Sequence, residues 1–255
     1  YTFEGISTIG NMVNLITTSS RERKKVTLLE GWTIEEIADE LSRKLQIDTY
    51  KFISLCKDFN FVHSLNIDAP SIEGFLFPDT YIFLSSYTEE QIITVMVNQF
   101  FHNYKKYIKR YKGHTSMSIR EITTMASIIQ GEAMFDDEME TISSVYHNRL
   151  KRKMRLQADP TIQYIIPGKN IRLYNKHLKI DSPYNTYKNY GLPPGPINNP
   201  GLSALKAAIH PDETQYLYFV ADGEGRHIFT RNNEEHNKAK KVLQRKRREV
   251  RRKKK

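Results

Sequence analysis

The chain has 255 residues and the apolar and aromatic content of an ordinary globular protein, enough for one or two domains with a sizeable core. Its net charge of +10 is concentrated at the C-terminus, because residues 238–255 hold twelve Lys or Arg against one Glu, and the rest of the chain sums to about −1. This nearly neutral body argues against a nucleic-acid-binding domain, and the single Cys56 excludes an intramolecular disulfide and a thiolate metal site.

The N-terminal residues predict a small strand, helix, strand unit. Residues 1–4 and 25–29 are typical of strands, and residues 7–16 carry apolar side chains at helical spacing. Such a unit is too small to be stable by itself. The chain begins with Tyr1 in TFEG, without Met or a signal-peptide pattern, and no run reaches the roughly eighteen apolar residues of a membrane span. We therefore expect a fragment whose N-terminal part has been removed.

Several helices are predicted by apolar periodicity and by start signals. Thr33 with Glu36, and Ser118 with Glu121, form capping boxes, and Asn199 followed by Pro200 is typical of an N-cap. The predicted helices span residues 33–45, 48–56, 61–65, 88–113, 118–132, 137–152 and 199–209.

Extended segments are fewer. Residues 73–84 (EGFLFPDTYIFL) alternate aromatics with Gly, Pro and Asp, and residues 216–221 and 227–230 predict a hairpin whose turn, DGEGR, supplies glycines where φ is positive. A last helix begins near Asn232 or Asn233 and continues into the basic tail. These elements predict an α+β fold in which a βαβ remnant precedes a mixed domain with several helices and a small antiparallel sheet.

The helix that begins after Ser118 ends with a carboxylate on its apolar face. Ile122, Met125 and Ile129 recur at helical spacing, and Glu132 lies three residues past Ile129. A carboxylate on an apolar face is costly unless it is paired or protonated, which is the situation of a general acid. The alternative is a structural glutamate that a buried Arg or backbone donors satisfy.

Residues 153–201 show little regular pattern but are rich in special residues, and long irregular segments in compact domains often carry function. Neutral polar groups beside aromatic rings suit a carbohydrate better than a phosphate. The alternative is that YNTY and QADPT are only turn sequences. The neutral polar side chains of this segment are Gln157, Tyr184, Asn185, Thr186 and Tyr187.

Other chemistries lack their motifs. None of the eight His forms an HxxxH or HxH pair, and there is no P-loop, no GxGxxG after a strand and no GxSxG elbow. For a glycan substrate, a hydrolase needs two carboxylates, whereas a lytic transglycosylase can use one Glu as acid and then base. Asp137 and Asp159 are the candidates for a second carboxylate. Asp137, however, is expected to be an N-cap, and Asp159 precedes Pro160 in a turn that favours Asp locally.

Six segments, taken in their order along the chain, resemble the MltG (YceG-like) family of membrane-anchored endolytic murein transglycosylases. They are LLEGWTIEEIADEL, EGFLFPDTY, MASIIQGEA, VYHNRLKRKMRLQADPTIQY, SPYNTYKNYGLPPGPINNPGLSALKAAIHP and YLYFVADGEGRHIFTRNNEEHNK, and they cover most of residues 26–238. The resemblance implies that Glu132 is the catalytic glutamate. This chain departs from the family at Gln130, where an acidic residue is frequent, and we expect this to alter the local pKa rather than to abolish activity.

The resemblance also implies the reaction and its residues. Peptidoglycan glycan strands would be cleaved after N-acetylmuramic acid to leave 1,6-anhydro ends, with no metal and no cofactor. Gln157, Asp159, Asn185, Thr186 and Tyr187 are the candidates for lining the cleft, and Glu73 is a further candidate. Arg149 and Arg155 are expected to pair with nearby acids rather than with carboxylates of the peptide stem.

Organisation and location follow from the same resemblance. Residues 1–30 would end a LysM-like module, residues 31–237 would form the catalytic domain, and residues 238–255 would be a basic helical extension. The implied protein is held in the bacterial plasma membrane by one helix outside this sequence, with its catalytic domain extracytoplasmic. Peptidoglycan synthases are expected partners by analogy, and the tail is expected to attract anionic membrane or wall polymer.

Two other functions remain open from the sequence. A non-catalytic glycan-binding module would bind strands and release no product. A nucleic-acid binder that uses the tail would lose affinity steeply with salt and with deletion of residues 238–255, although the near-neutral body argues against it.

Overall fold

The computed structural model describes residues 8–10, 22–109, 116–168 and 172–253, with side chains through Arg245. Most of the predicted N-terminal strand and helix lies outside these residues. The described elements are β1 (Arg23–Thr27), α1 (Ile34–Leu45), α2 (Thr49–Lys57), α3 (Phe59–Ser64), β2 (Thr80–Leu84), α4 (Glu89–Asn103), α5 (Ile119–Glu132), α6 (Met139–Lys151), α7 (Asp159–Ile165), α8 (Leu202–Ile209), β3 (Tyr218–Ala221), β4 (His227–Thr230) and α9 (Asn233–Lys253). A π-helical turn (Tyr104–Ile108) and two short 3-10 turns (Asp136–Glu138 and His177–Lys179) complete them.

Two small antiparallel sheets accompany the helices, which confirms the α+β prediction. In the first sheet β1 pairs with β2, with Val26 opposite Tyr81. The second sheet is the β3–β4 hairpin, with Tyr218 opposite Thr230, and Gly223 and Gly225 in its turn have the expected positive φ. Only the last five residues of the extended segment 73–84 form a strand.

Helix starts agree well with the sequence. Both predicted capping boxes are present, at Thr33 with Glu36 and at Ser118 with Glu121. Asp48 accepts a hydrogen bond from the backbone of Lys51 at the start of α2. In each case a side-chain oxygen satisfies a helix N–H that has no partner inside the helix. These starts are local features, so the neighbouring residues suffice to specify them.

Helix α5 lies in the middle of the core. Its residues from Ile122 to Ile129 are all buried, and it packs against α8, α6 and α7. The loop before α8 is fastened to it: Asn198 donates its amide to the backbone oxygen of Ser127, and the Ser127 hydroxyl accepts from the backbone N–H of Ile197. Because α5 is fixed on several sides, the position of its last residue, Glu132, is well defined.

Asn199 is not the N-cap that the sequence predicted, since Gly201 is the N-cap and α8 begins at Leu202. The Asn199 side chain is fully buried. Its amide donates to Trp32 O at 3.0 Å and to Glu73 Oε1 at 2.9 Å, and its Oδ1 accepts from Leu76 N at 2.9 Å. One side chain therefore joins three segments that are distant in sequence.

Other predictions also needed correction. Asp137 lies in the 3-10 turn before α6, the residue before that helix is Glu138, and neither side chain caps it. In the helix predicted over residues 88–113, the spacing of apolar residues predicts an inward Val95, but its side chain is exposed. The predicted end of that helix near Gly113 lies outside the described residues. Within the irregular segment 153–201, the described residues Asp159–Ile165 form α7, which the sequence does not predict.

Candidate active site

Glu132 is the last residue of α5 and is half-buried at the surface of a groove. The hydroxyl of Tyr146, on α6, donates a hydrogen bond to Glu132 Oε1 at 2.7 Å. The pKa of Glu132 rises from 4.5 to about 7, first because burial removes water from the carboxylate and then because the Asp159 carboxylate is near. The Tyr146 hydrogen bond, the Arg149 charge and the Asp159 backbone N–H oppose this rise in pKa. The group can therefore exchange a proton near neutral pH.

A close contact between helices brings Asp159 beside Glu132. A Cβ atom on Gly131 would lie 2.7 Å from Pro160 Cβ, so only glycine allows the first turn of α7 to approach the end of α5 this closely. Asp159 is the first residue of α7 and Pro160 follows it in the first turn, where its missing N–H costs nothing. The DP pair that was interpreted as a turn is thus a helix start.

Tyr187 and Asp159 form a second polar pair at the groove. The Tyr187 hydroxyl donates to Asp159 Oδ1 at 2.5 Å. Burial, followed by the hydrogen bond to Asp159, raises the pKa of Tyr187, so the hydroxyl stays protonated and remains a donor. Gln157 lines the same groove in a left-handed backbone conformation, with φ of 48°.

Thr186 and Asn185 lie behind this surface rather than on it. Both are buried. The Thr186 hydroxyl accepts from Ala158 N at 3.0 Å, and the Asn185 amide donates to the backbone oxygens of Leu178 and Ile180. Asn185 Oδ1 also accepts from Tyr187 N at 2.9 Å. These two residues hold the segments that carry Gln157, Asp159 and Tyr187.

Glu73 is buried and does not line the groove. Its Oε1 accepts from Asn199, and its Oε2 faces Ile34 N at 3.4 Å, at the start of α1. Burial, followed by the Glu35 charge, raises the pKa of Glu73 to about 8. Glu73 supports the segment around Trp32 indirectly, because Asn199 donates both to Glu73 and to the backbone oxygen of Trp32.

The groove has two halves that meet at Glu132 and Asp159, and both residues line both halves. We call the smaller half, about 480 Å³, the narrow groove; besides the shared pair it is lined by Arg149, Gln157, Tyr187, Tyr218, Phe219, Val220, Ala221, His227, Asn233, His236 and Lys240. We call the larger half, about 1190 Å³, the wide groove; its lining includes Trp32, Thr33, Glu35, Glu36, Pro160, Gln163, Tyr164, Ile165, Pro167 and Asn198.

Several residues at the site carry no sequence signal that places them there. Trp32 belongs to the segment before α1, and His236 and Lys240 to α9, far from the irregular segment in sequence. Tyr146 lies on the apolar face of α6, which by itself predicts a core residue, but its hydroxyl bonds Glu132. The sequence signal for this role is its place fourteen residues after Glu132, on the inward face of the next helix.

The side chains of Arg149, Arg155 and Asp137 make other contacts than the sequence predicts. Among the described residues Arg149 forms no ion pair; it donates instead to the backbone oxygens of Leu217 and Leu156. Arg155 stacks on Tyr190, 4.8 Å from the ring centroid. Asp137 is exposed and pairs with Arg226 through two hydrogen bonds of 3.1 and 3.0 Å, and it does not line either half of the groove.

Gln130 faces away from the groove. Its Oε1 accepts from Gly201 N at 3.0 Å, and its side chain also bonds Glu30, which opposes the rise in the pKa of Glu30 that burial causes. In the described part of the chain no three His, Cys, Asp or Glu side chains are arranged to hold a metal ion. Within the same residues, no helix has the length and apolar character needed to cross a bilayer.

The fold and the site define an α+β domain centred on one desolvated glutamate in an open, two-sided groove. The chain belongs to the YceG-like family, whose model matches residues 1–242. It is 40% identical over 234 residues to the endolytic murein transglycosylase of Bacillus subtilis, covering 85% of this chain and 64% of that protein. It is 31% identical to the endolytic murein transglycosylase of Streptococcus pneumoniae, covering 84% of this chain and 43% of that protein.

A solved structure agrees with the fold. The crystal structure of a YceG-like protein from Listeria monocytogenes superposes with a TM-score of 0.79 at 36% identity, covering 90% of this chain and 80% of that one. The chain thus spans less than two thirds of the length of the curated relatives it matches.

Proposed function

We propose that the chain is the catalytic part of an endolytic murein transglycosylase, which cleaves the bond between N-acetylmuramic acid and N-acetylglucosamine inside glycan strands without water. The observation that carries the proposal is the position of Glu132, whose pKa is about 7, at the junction of two open groove halves. A groove open on both sides of the acid suits a strand that continues in both directions. The names of the relatives support the same activity.

In the proposed mechanism Glu132 acts twice. Protonated Glu132 gives its proton to the glycosidic oxygen as the bond from that oxygen to the muramyl C1 breaks. The carboxylate then takes the proton from the 6-hydroxyl of the same muramyl sugar, and that oxygen bonds to C1 to close the 1,6-anhydro ring. The proton returns to Glu132, so the cycle consumes no water. Tyr146 keeps the carboxyl group oriented through its 2.7 Å hydrogen bond.

A hydrolase needs a second carboxylate, and Asp159 lies beside Glu132. Asp159 is therefore the residue that would activate water if the enzyme hydrolysed the bond instead of forming the anhydro ring. Asp159 Oδ1 already accepts the Tyr187 hydroxyl, and its backbone N–H interacts with Glu132. We infer that Asp159 raises the pKa of Glu132 and orders Tyr187 rather than activating water. Gln157 and Tyr187 are proposed to contact the sugar directly, while Asn185, Thr186 and Glu73 are proposed to support the cleft.

The deciding experiment is digestion of purified murein strands followed by mass spectrometry. We expect products lighter by one water than hydrolytic products, with internal cleavage. Glu132→Gln should lower the rate about a thousandfold, within the range of general acid catalysis. Glu140→Gln, an exposed glutamate on α6, is the matched control and should retain activity.

Other outcomes would change the assignment. Reducing ends that disappear in Asp159→Asn would establish hydrolysis. Strand binding without any product would establish a glycan-binding module, and salt-sensitive binding of nucleic acid in place of murein would establish the remaining alternative.

Location and partners are proposed by the same reasoning. A murein-cleaving domain acts outside the cytoplasm, and the resemblance adds a single membrane anchor, a LysM-like module ending near residue 30 and peptidoglycan synthases as partners. We also propose that the basic end of α9 attracts anionic membrane or wall polymer. Because Leu243 is buried and lies near Gly223, the truncation that tests this should remove only residues 246–255. Unchanged vesicle binding after that truncation would reject the role.

A further inference from the structure

The narrow groove concentrates basic side chains. Apart from Glu132 and Asp159, which belong to the junction, its charged or chargeable lining groups are Arg149, three further basic residues and two tyrosines. The basic residues are His227, His236 and Lys240. Together with Arg149 on α6, they come from three elements, since His227 lies in the β3–β4 hairpin and His236 and Lys240 lie in the first turns of α9.

Arg149 is a buried cation without a carboxylate partner. Its side chain is only 7% exposed, and among the described residues no acid lies within ion-pair distance. Nε and Nη1 donate to the backbone oxygens of Leu217 and Leu156, and no bond of Nη2 to a described residue is present. Burying a cation is costly, and backbone oxygens compensate only part of that cost. The arrangement suits a site that an external anion completes.

His236 and Lys240 extend the same surface. His236 is buried and stacks on Tyr218 with ring centroids 5.2 Å apart, and its Nδ1 has no hydrogen-bond partner among the described residues. Lys240 follows one helical turn later, is exposed, and forms no ion pair with a described residue. The Arg149 guanidinium lies 5.3 Å from the centroid of the same Tyr218 ring.

His227 is excluded from this set because Glu138 already satisfies it. Glu138 Oε1 accepts from His227 N at 2.9 Å, and Oε2 lies 3.3 Å from His227 Nδ1. Three basic groups therefore remain available to a ligand in the narrow groove: Arg149, His236 and Lys240.

We propose that the narrow groove is a carboxylate-binding subsite, in which Arg149 and Lys240 hold an acidic group attached to a muramyl residue and His236 hydrogen-bonds beside them. The proposal rests on the proposed murein substrate. The planar fork of an arginine matches a carboxylate, and a flexible lysine adds charge at the rim. In murein this carboxylate belongs either to the peptide stem or, where the stem has been removed, to the lactyl group.

The test uses three forms of one strand preparation: stem-bearing strands, strands stripped by an amidase so that the lactyl carboxylate is free, and stripped strands whose lactyl carboxylate is converted to a methylamide. Lys240→Gln is the test variant, because Lys240 is exposed and its replacement should not affect folding. Lys241→Gln, its exposed neighbour outside the groove, is the matched control.

We expect Lys240→Gln to raise KM about fivefold on at least one carboxylate-bearing strand, with kcat within twofold and no change on the methylamide. Lys241→Gln should leave all three KM values unchanged. A penalty on stem-bearing strands alone identifies the stem as the source, and one on stripped strands identifies the lactyl group. An equal penalty on the methylamide, or none on any strand, overturns the proposal.

A binding measurement separates this proposal from the proposed function. N-acetylmuramic acid and its methylamide are titrated by NMR into Glu132→Gln and into the double variant that also carries Lys240→Gln. Stronger binding of the free acid, lost in the double variant, supports the subsite even if the wild type releases no anhydro product. Equal binding of the two sugars rejects the lactyl carboxylate as the ligand. The same titration with a muramyl peptide and its amidated form tests the stem, and equal binding there as well rejects the subsite even if the wild type cleaves murein.

Discussion

The two halves of the groove share Glu132 and Asp159 but differ in everything else that decides binding. The narrow groove presents Arg149 and Lys240, which form no ion pair with a described residue, whereas the wide groove presents Trp32 and Tyr164 with prolines around them. The acids of the wide groove are already engaged, since Glu35 pairs with Lys57 at 3.0 Å and Glu36 closes the capping box with Thr33. One half is thus suited to a charged substituent and the other to neutral sugar.

Hydrogen-bonding groups follow the same division. In the wide groove Asn198 is buried, and its Oδ1 has no hydrogen-bond partner among the described residues, so it can accept from a sugar hydroxyl or acetamido N–H. In the narrow groove the available groups are the side-chain amide of Gln157, the donors of Arg149 and Lys240 and the ring nitrogen of His236. If the proposed function is correct, we expect a strand that occupies both halves to have one preferred direction, set by charge on one side and by stacking on the other.

The largest expected effect concerns the carboxyl group that both halves share. Because Glu132 must be protonated to act as the acid and its pKa is about 7, kcat/KM should fall tenfold per pH unit above about 7, or about a hundredfold by pH 9. Rate measurements between pH 5 and 9 on stem-bearing strands check this. Asp159→Asn removes a charge that raises this pKa and should move the decline to lower pH; a decline that stays in place would contradict the role of Asp159.

The wide groove should depend on Asn199 for its shape. Asn199→Ala leaves Glu73 Oε1 and Leu76 N without partners in a buried site and weakens the connection to Trp32, so we expect a loss of about 2–3 kcal/mol in the free energy of unfolding. Urea unfolding at pH 7 measures it. Asn98→Ala, at an exposed position on α4, should change stability by less than about 0.5 kcal/mol. Equal losses in the two variants would show that the hydrogen bonds of Asn199 are unimportant.

Trp32 provides the direct contrast to Lys240. If its ring stacks on sugar in the wide groove, Trp32→Ala should raise KM about tenfold on all three strand forms, because stacking does not depend on carboxylates. Tyr50→Ala, which removes an aromatic ring that is 84% exposed elsewhere, is the control. A Trp32 penalty confined to carboxylate-bearing strands would remove the distinction between the halves.

The most gradual effect concerns the buried acid behind the wide groove. Glu73 has a pKa of about 8 in the folded chain and 4.5 as an ordinary value, so the folded state keeps a proton that the unfolded state has released. Its stabilising contribution is complete below about pH 4.5 and declines as the pH rises toward 8, by up to about 1 kcal/mol per pH unit. Denaturant titrations at several pH values should show this slope in the wild type and a flatter one in Glu73→Gln. Parallel slopes would mean that Glu73 ionises freely.

The sequence predicts a feature of the site when residues close to it along the chain determine that feature, and fails when distant residues do. The capping boxes of α1 and α5, the hairpin and the inward position of Glu132 follow from neighbouring residues. The first turn of α7 was missed because Asp159 and Pro160 suit a turn and a helix start equally well. In the folded chain this first turn is helical and packs against Gly131. The residues next to Asp159 in sequence give no sign of that contact.

The same reasoning applies to Asn199 and Arg149. Asn199 followed by Pro200 has the pattern of an N-cap, but three partners from distant segments hold the side chain inside the protein. Arg149 was expected to pair with an acid, as surface arginines commonly do. Its place on α6 instead turns it toward backbone oxygens at Leu217 and Leu156, which only the folded chain brings together.

By itself the sequence determined the helical framework, the family resemblance and the glutamate at the centre, because each depends on residue order over short stretches. The tertiary structure alone decided the surroundings of that glutamate. Tyr146, Asp159 and Arg149 reach it from other elements, and their distances, together with the loss of water, set its pKa near 7. The two unlike groove halves also arise only in the fold, since Trp32 and Lys240 are separated by most of the chain and face the same groove only after packing.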